Sequence, residues 1–397
     1  MLNKEGQREL AYVVKVNDIK PIAGKDRVEC AIVGGWTCMV PKNTFKSGDL
    51  GIYFEIDSKL DTSKEVFAFT EKYHGKIKTQ KFKTPDGPFY SQGLLMSFND
   101  FGWESTKYLE GKFLTKELGV TYADPEDNKR KSNKSNPNAK YQRMMNRHPR
   151  LARSKIGKFC MKHKLLKKIL YWVLGGDEKN KPVIFPYWVV KTDEERVQNC
   201  FNTVHNLNCE WIATEKRDGT STTMTLKGHG KKQDYAVCSR NVRMENRKDG
   251  SWYDSNVYTE MSEKYHIKSV LEELLTDEYE FVTIQGETFG EGIQKRDYGL
   301  KEHVFEVFNV IFGYKNGTTK RLNPLEMKEL MDKYNIPTVP IVSEHLILPD
   351  SCQGVLDLAC GEAALYGGMR EGLVFRSYNG VHSFKAVDNE FLVKYHE

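Results

Sequence analysis

The sequence predicts an α+β protein whose sheets are antiparallel, and three observations support this prediction. Short runs of β-branched and apolar residues, broken by Gly, Pro and Asp, fill residues 8 to 120. Similar runs return after residue 182, and two segments in this part carry helix-start signals. Strands and helices do not alternate at the regular spacing that parallel βαβ units require.

Residues 1–122 are expected to form a small β-barrel domain. Strand-like runs cover residues 10–22, 28–40 and 49–56, and residues 93–96 add a shorter one. Short strands at this spacing are typical of an OB fold, and OB folds commonly bind single strands or duplex ends. A barrel used only for packing is the alternative.

Residues 123–180 are expected to be a basic linker or insertion. Between Lys129 and Lys168 there are fifteen Lys or Arg and no Asp or Glu, so the rest of the chain is net acidic although the whole carries +6. Such a segment attracts polyanions, and a nucleic acid is the favoured partner. A solubilising insert remains open, as does a membrane or protein contact, because residues 159–174 could form a basic amphipathic helix.

The composition argues against membrane insertion and secretion. No run of about 18 apolar residues occurs, and the first nine residues do not resemble a signal peptide. The eight cysteines form no C-x-x-C pair, which argues against a zinc site and favours reduced thiols. We therefore expect a cytoplasmic protein without a membrane partner.

Residues 181–397 are expected to form the larger α+β domain. A strand over 210–214 ends just before Lys216, and a hairpin over 220–226 and 234–240 follows. Further strands are expected at 279–285, 304–311, 373–376 and 382–387. Asn323 is followed by Pro at the first helical turn and by Glu three residues later, which predicts a capped helix to about residue 334. Asp388 is expected to cap a last short helix.

The tetrapeptide at 216–219, Lys-Arg-Asp-Gly, is the first sign of chemistry. It places an amine nucleophile in a fixed turn with a carboxylate beside it. Alone it is weak evidence, but five further short motifs follow it in order. They are Ser239-Arg240-Asn241, Gln285-Gly286-Glu287-Thr288-Phe289-Gly290, Phe305-Glu306-Val307-Phe308-Asn309, Glu371-Gly372-Leu373-Val374-Phe375 and Ser383-Phe384-Lys385.

These six elements resemble the covalent nucleotidyltransferase superfamily of RNA ligases, DNA ligases and capping enzymes. The resemblance implies that Lys216 attacks the α-phosphate of a nucleotide, with Lys385 against that phosphate. It implies that Asp218, Glu287 and Glu371 surround a phosphate through Mg²⁺ or Mn²⁺. A metal or Lys385 is expected to lower the pKa of Lys216 so that the amine is neutral when it attacks.

The resemblance also implies residues that bind the rest of the nucleotide. Glu215 is expected to accept a hydrogen bond from the adenine amino group. Phe305 is the ring expected to stack on the base, although Phe305 or Phe308 could instead belong to the core. Arg240 and Asn241 are expected to contact ribose and phosphate.

The two ends of the chain narrow the resemblance to one branch. Only twelve residues follow Lys385, which leaves no room for a carboxy-terminal OB domain. Residues 185–186 and 191–199 resemble the stretch before the catalytic lysine in RNA ligases with an amino-terminal OB domain, and by this match Arg196 reaches the phosphate or the metal's waters. Ser383 departs from the pattern, because many relatives have a lysine there.

The expected function is an ATP-dependent RNA ligase that seals 5′-phosphate and 3′-hydroxyl ends through lysyl-AMP and RNA-adenylate. The expected partner is RNA, as a nick in a duplex or ends bridged by a complementary strand, and the protein is expected to be a monomer. A DNA ligase, a capping-type guanylyltransferase or an inactive nucleic-acid-binding homologue are the alternatives.

Overall fold

The computed structural model describes residues 1–3, 8–123, 151, 154–174, 183–244 and 256–396. Within these ranges the fold is α+β with antiparallel sheets, as the sequence predicts. None of the helices in the described ranges is long and apolar enough to cross a membrane.

The described residues of the amino-terminal domain contain ten short strands. They are β1 Ala11–Lys15, β2 Asp18–Ile22, β3 Lys25–Val33, β4 Trp36–Pro41, β5 Leu50–Phe54, β6 Ser58–Lys59, β7 Thr79–Thr84, β8 Gly87–Gln92, β9 Leu94–Met96 and β10 Thr121–Tyr122. β5 pairs with β1 and β9, β3 pairs with β2 and β4, and two short ladders join β7 to β8 and β6 to β10. Two apolar clusters fill this small barrel, one of them around Phe54 and Phe67 and the other around Trp36 and Tyr53. Its helical segments are the 3₁₀ turns Glu65–Tyr73, Phe98–Phe101 and Ser105–Lys107 and the short helix α1 Thr115–Leu118.

Two helices lie in the segment between the domains, α2 Lys155–Lys162 and α3 Lys164–Val173. The sequence indicates a single amphipathic helix over 159–174, whereas the structure divides it at His163. Most of the basic run, residues 129–150, falls outside the described residues.

The carboxy-terminal domain contains two antiparallel sheets. Their strands are β11 Val183–Ile184, β12 Trp211–Lys216, β13 Thr220–Lys227, β14 Asp234–Cys238, β15 Val242–Arg243, β16 Tyr279–Phe289, β17 Val304–Tyr314, β18 Thr319–Arg321, β19 Ile341–Leu346, β20 Gly372–Ser377 and β21 Ser383–Val387. One sheet has the order β11-β15-β14-β13-β16-β17-β18, and the other has the order β19-β12-β20-β21. Lys216 and the turn after it therefore lie where the chain passes from the second sheet into the first.

Helices cover the outer face of each sheet. They are α4 Val197–His205, α5 Val257–Lys264, α6 Ile267–Leu274, α7 Pro324–Asp332, α8 Cys352–Ala359 and α9 Asn389–Tyr395, with a 3₁₀ turn at Gly230–Lys232. The two caps predicted from sequence are present. Asn323 forms a capping box with Glu326 at the start of α7, and the Asp388 side chain accepts from the backbone N–H of Glu390 at the start of α9.

Helix α9 fixes the end of the catalytic domain to the barrel. Val387 and Leu392 belong to the same apolar cluster as Trp36 and Tyr53. The Gln92 side chain donates a hydrogen bond of 2.8 Å to Asn389, the second residue after Val387. Strand β21, which carries Lys385, is thus held from both domains.

Candidate active site

Lys216 is the last residue of β12 and lies beside the start of β20. Its Cα pairs with that of Gly372, which brings the adjacent Glu371 to the lysine side chain. The two side chains form an ion pair of 2.8 Å between Lys216 Nζ and Glu371 Oε2. Lys216 retains 24% exposure whereas Glu371 is almost fully buried, so the amine lies at the mouth of the cleft.

The turn after Lys216 is held in place by its neighbours. The backbone N–H of Asp218 donates a 2.7 Å hydrogen bond to the Tyr298 hydroxyl. A Cβ at Gly219 would lie 2.4 Å from the carbonyl oxygen of Thr288, so only glycine allows this close approach between the turn and β16. The chain thereby directs Asp218 into the site instead of toward solvent.

The three predicted carboxylates, Asp218, Glu287 and Glu371, meet around Lys216. Burial raises the pKa of Glu287 to about 8, and the neighbouring carboxylates of Glu371 and Asp218 add to this effect against the opposing charge of Lys216. Burial also raises the pKa of Glu371. Oxygen ligands that carry excess negative charge suit Mg²⁺ or Mn²⁺, so the donor set fits a divalent cation.

The pKa of Lys216 moves in the direction opposite to the sequence-based expectation. Burial alone would lower it, but the charges of Glu371, Glu287 and Asp218 outweigh burial and raise it above the ordinary lysine value. Among the described residues the three carboxylates thus set the direction of the shift, and the expected lowering of the Lys216 pKa by a metal stays a prediction.

Lys385 is the group whose pKa is strongly lowered. It lies on β21, is almost fully buried, and its backbone N–H donates a 2.7 Å hydrogen bond to the carbonyl of Glu195. Burial is the main cause, and the charges of Arg8, Arg196 and Lys216 add to it, so that the pKa falls to about 7.

Arg196 lies between the two domains. Its Nη2 is 3.3 Å from Asp57 Oδ2 of the barrel, and its side chain is buried. Its Nε is buried without a hydrogen-bond partner. A buried guanidinium with an unsatisfied donor is suited to bind an anion that enters the cleft.

Arg240 and Asn241 form part of the cleft rim. Arg240 pairs with Asp193 at 2.5 Å, and its guanidinium lies 4.6 Å from the ring centroid of Tyr122 in the barrel. The Asn241 side chain accepts a 3.2 Å hydrogen bond from Lys191. Both residues lie in the short link between β14 and β15, where Arg240 faces the barrel and Asn241 is exposed.

The prediction that Phe305 stacks on the base is wrong. Its ring is fully buried in the apolar cluster between the seven-stranded sheet and helices α5 to α7. A Cβ at Gly286 would lie 2.4 Å from this ring, which shows how closely β16 covers it. Phe308 is half-buried and occupies a bulge, because the pairing passes from Gln285 with Asn309 directly to Gly286 with Val307.

Glu215 is buried, and both of its carboxylate oxygens are engaged. Oε1 forms an ion pair with Arg217 Nη1, and Oε2 accepts a 2.7 Å hydrogen bond from the backbone N–H of Ala364. Arg217 is itself fully buried and also pairs with Glu306 at 2.6 Å. Sequence reasoning missed Arg217 and Glu306, because a charged side chain inside a turn motif is ordinarily on the surface.

His396 is a second residue that sequence reasoning missed. Its Nε2 lies 3.4 Å from Asp218 Oδ1, although it follows Lys385, the last motif residue, by eleven positions. Asp218, Glu371 and His396 offer ligand atoms that lie within 4.8 Å of one another. Helix α9 brings the histidine back to the cleft, and no local sequence signal marks that return.

Family models match both parts of the chain. The family model described as RNA ligase matches residues 209–396, and one described as an OB-fold domain matches residues 10–96. No curated protein matches the chain.

Solved structures of a Naegleria gruberi RNA ligase are similar over nearly the whole length. The structure with PPi is 26% identical, has a TM-score of 0.71, and the match covers 98% of this chain and 99% of that chain. A variant of that ligase with ATP and Mn is 27% identical at the same TM-score, with 98% and 100% covered. Another variant, with AMP and Mn, is 26% identical with a TM-score of 0.71, and 98% and 99% are covered. Lys216, Asp218, Glu287, Glu371 and Lys385 thus all lie in the part of the chain that matches the RNA ligase family, which follows a part that matches an OB-fold domain, and solved RNA ligases are similar to the chain over both parts.

Proposed function

We propose that this chain is an ATP-dependent RNA ligase that uses Mg²⁺ or Mn²⁺ and joins 5′-phosphate to 3′-hydroxyl RNA ends. The observation that carries the proposal is the contact of Lys216 Nζ with Glu371 at 2.8 Å, inside a group of three carboxylates. An amine held in this way is directed at one point of the cleft. The similarity to ligase structures with ATP, AMP and Mn supports the nucleotide and the metal.

In the first step, Lys216 Nζ attacks the α-phosphorus of ATP. The new P–N bond forms as the bond to the oxygen that bridges to the β-phosphate breaks, and pyrophosphate leaves. The Lys216 ammonium gives two protons to solvent, one before the attack and one as the P–N bond forms, and the nitrogen keeps one hydrogen. A divalent cation held by Asp218, Glu287 and Glu371 would offset negative charge on the phosphates and on these carboxylates. With that offset the carboxylates no longer hold the proton on Lys216, and Lys385 stabilises charge on the α-phosphate.

The next two steps transfer the AMP and close the RNA. An oxygen of the RNA 5′-phosphate attacks the lysyl-AMP phosphorus, the P–N bond breaks, and Lys216 regains its amine. The 3′-hydroxyl of the other end then attacks the 5′-phosphate of the RNA-adenylate. The phosphodiester forms, the hydroxyl proton is lost, and AMP leaves.

We assign the remaining nucleotide contacts to residues on the cleft walls. Glu215 accepts from the adenine amino group, and Arg240 and Asn241 contact ribose and phosphate. Arg196 binds phosphate through its free donor. We assign base stacking to Phe308 instead of Phe305, because the ring of Phe308 is only half-buried.

We further propose that the RNA is a nick in a duplex or is bridged by a complementary strand. The barrel and the basic segment 129–168 would hold this duplex, since the barrel contacts the site through Asp57 and Arg196 and the segment is strongly cationic. All eight cysteines are free thiols, which fits a cytoplasmic enzyme. Light scattering of the purified chain tests our expectation of a monomer.

Incubation with α-labelled ATP and Mg²⁺ tests the nucleophile. Wild type should become labelled, and Lys216→Ala should not. Lys268→Ala is the matched control, because this lysine lies on the exposed side of α6 in an ion pair with Glu272. Label in Lys216→Ala would reject the nucleophile, label from GTP instead of ATP would favour a capping-type enzyme, and no label in wild type would indicate an inactive homologue.

A further inference from the structure

Arg217 lies between the nucleophile and the first metal-binding carboxylate, yet its side chain points away from both. The guanidinium has no exposed surface and contacts two carboxylates. Its Nη1 pairs with Glu215, while its Nε and Nη2 lie 2.6 and 3.3 Å from the two oxygens of Glu306. Arg217 therefore joins the end of β12 to the start of β17.

An aromatic enclosure fixes the guanidinium in this position. The ring centroids of Tyr366, Phe289 and Tyr298 lie 5.0, 5.6 and 5.7 Å from its central carbon. Cation–π contacts of this kind are strongest when the cation is removed from water, as here. Lysine could not replace the planar fork, because it offers a single nitrogen to two carboxylates.

The loop before β20 donates hydrogen bonds to both carboxylates that pair with Arg217. Its Ala364 N–H donates to Glu215 Oε2 at 2.7 Å, and its Tyr366 hydroxyl donates to Glu306 Oε1 at 3.3 Å. Glu215 is thus held at one oxygen by Arg217 and at the other by this loop. A carboxylate oxygen has two acceptor positions, so each fixed oxygen still has one position for another donor.

The charges leave this group net negative and rich in acceptors. Two carboxylates surround one guanidinium, and burial makes each unpaired polar group costly. A purine with a 6-amino group presents donors to such a wall, whereas a 6-oxo group presents an acceptor. Glu215 can select between them only if its carboxylate keeps one orientation, and Arg217 supplies that constraint.

We propose that Arg217, held by Glu306 and the three rings, is a positioning residue that orients Glu215 to select a 6-aminopurine nucleotide. This inference rests on the proposed function, which assigns Glu215 to the adenine amino group. It adds that selectivity for the base depends on the ion-paired group of Glu215, Arg217 and Glu306 and not on Glu215 alone.

Equilibrium binding in a Lys216→Met background tests this without the covalent step. The probes are ATP and purine riboside triphosphate, which lacks the 6-amino group, each with Mg²⁺. The background variant should bind ATP roughly tenfold or more tightly than the analogue, because the analogue leaves a buried charged acceptor unpaired. Adding Arg217→Met should weaken ATP binding and bring this ratio close to one, and Arg217→Lys should give an intermediate ratio.

Arg243→Met is the matched control, because Arg243 forms a two-point ion pair with Asp234 in the same domain, at 2.6 and 3.1 Å. It should leave the ratio unchanged. If Arg217→Met weakens both nucleotides by the same factor, Arg217 serves only the fold and the proposal is rejected. Should Arg217→Met fail to show a cooperative thermal transition, Arg217→Lys decides, and an unchanged ratio there rejects the proposal.

The same measurements separate this inference from the ligase proposal. Wild type that forms no lysyl adduct would overturn the ligase function. The ratio of the affinities for ATP and for the analogue would still test whether Arg217 orients Glu215. Adduct formation with a ratio that Arg217 does not affect would overturn only the inference. A chain that binds neither nucleotide would overturn both.

Discussion

Lys385 shares its end of the cleft with Arg8, Arg196 and Lys216, and burial together with these charges lowers its pKa to about 7. The folded chain therefore loses this proton near pH 7, whereas an unfolded chain keeps it up to the ordinary lysine pKa of 10.5. Between these values the unfolded state binds more protons, so this group makes the free energy of unfolding rise with pH across that window. A bound phosphate acts on the pKa in the other direction, because it stabilises the ammonium form.

Nucleotide binding above neutral pH should consequently take up a proton. With α,β-methylene ATP, which blocks the covalent step, we expect uptake of about one proton per chain near pH 8, since the phosphate raises the pKa of Lys385. Calorimetry in buffers with different ionisation enthalpies measures it. Lys385→Met should abolish the uptake, and uptake that persists in this variant would show that another group titrates.

Single residues also mark where sequence reasoning succeeds and fails. Lys216, Asp218, Glu287 and Glu371 could be found because their motifs are short, ordered and local, and the structure brings all four together. His396 could not be found, since only the path of α9 returns it to Asp218.

Strand β17 shows, at the scale of an element, that sequence reasoning finds local patterns and misses features that depend on tertiary pairing. Its existence and approximate start were predicted, because a run of apolar and β-branched residues is visible in the sequence. Its bulge was not, since a register shift depends on the pairing with β16. Phe305 and Phe308 are three residues apart, so strand alternation places their rings on opposite faces, with Phe305 in the core and Phe308 half-buried.

The two phenylalanines should therefore respond differently to truncation. Phe308→Ala should raise the KM for ATP in lysyl-AMP formation by roughly tenfold, through the loss of about 1 to 3 kcal/mol of stacking. Phe305→Ala should lower the free energy of unfolding by about 3 to 5 kcal/mol, because it empties a packed site. Denaturant unfolding and initial adenylylation rates measure the two effects. A large change in the KM for ATP in Phe305→Ala, with unchanged stability, would show that Phe305 and not Phe308 stacks on the base.

At the scale of the whole molecule, the barrel and the catalytic domain contact each other at the site. Asp57 of the barrel holds Arg196, Tyr122 packs on Arg240, and α9 carries Leu392 into the barrel core. The sequence predicted both domains, but it gave no sign that the barrel would contact the residues expected to bind phosphate. Contacts between distant segments leave no local pattern that could be read in advance.

The basic segment gives a prediction at this scale. Removing residues 129–168 should weaken binding to a nicked RNA duplex and reduce the slope of log Kd against log salt, because each lost phosphate contact removes about 0.9 from that slope. Lysyl-AMP formation should be retained, since none of the proposed nucleotide contacts lies in the segment. A variant of the same length with its Lys and Arg changed to Gln separates charge from length. An unchanged slope in both variants would reject a role for the segment in RNA binding.

Nick sealing across strand combinations tests the central claim most directly. With ATP and Mg²⁺, the chain should join a 5′-phosphate to a 3′-hydroxyl at a nick in duplex RNA, and an AMP-capped 5′ end should appear before the product. The Lys216→Ala variant should give neither species. An enzyme that forms the lysyl adduct but leaves the RNA nick open, or that seals only an all-DNA nick, would contradict the account.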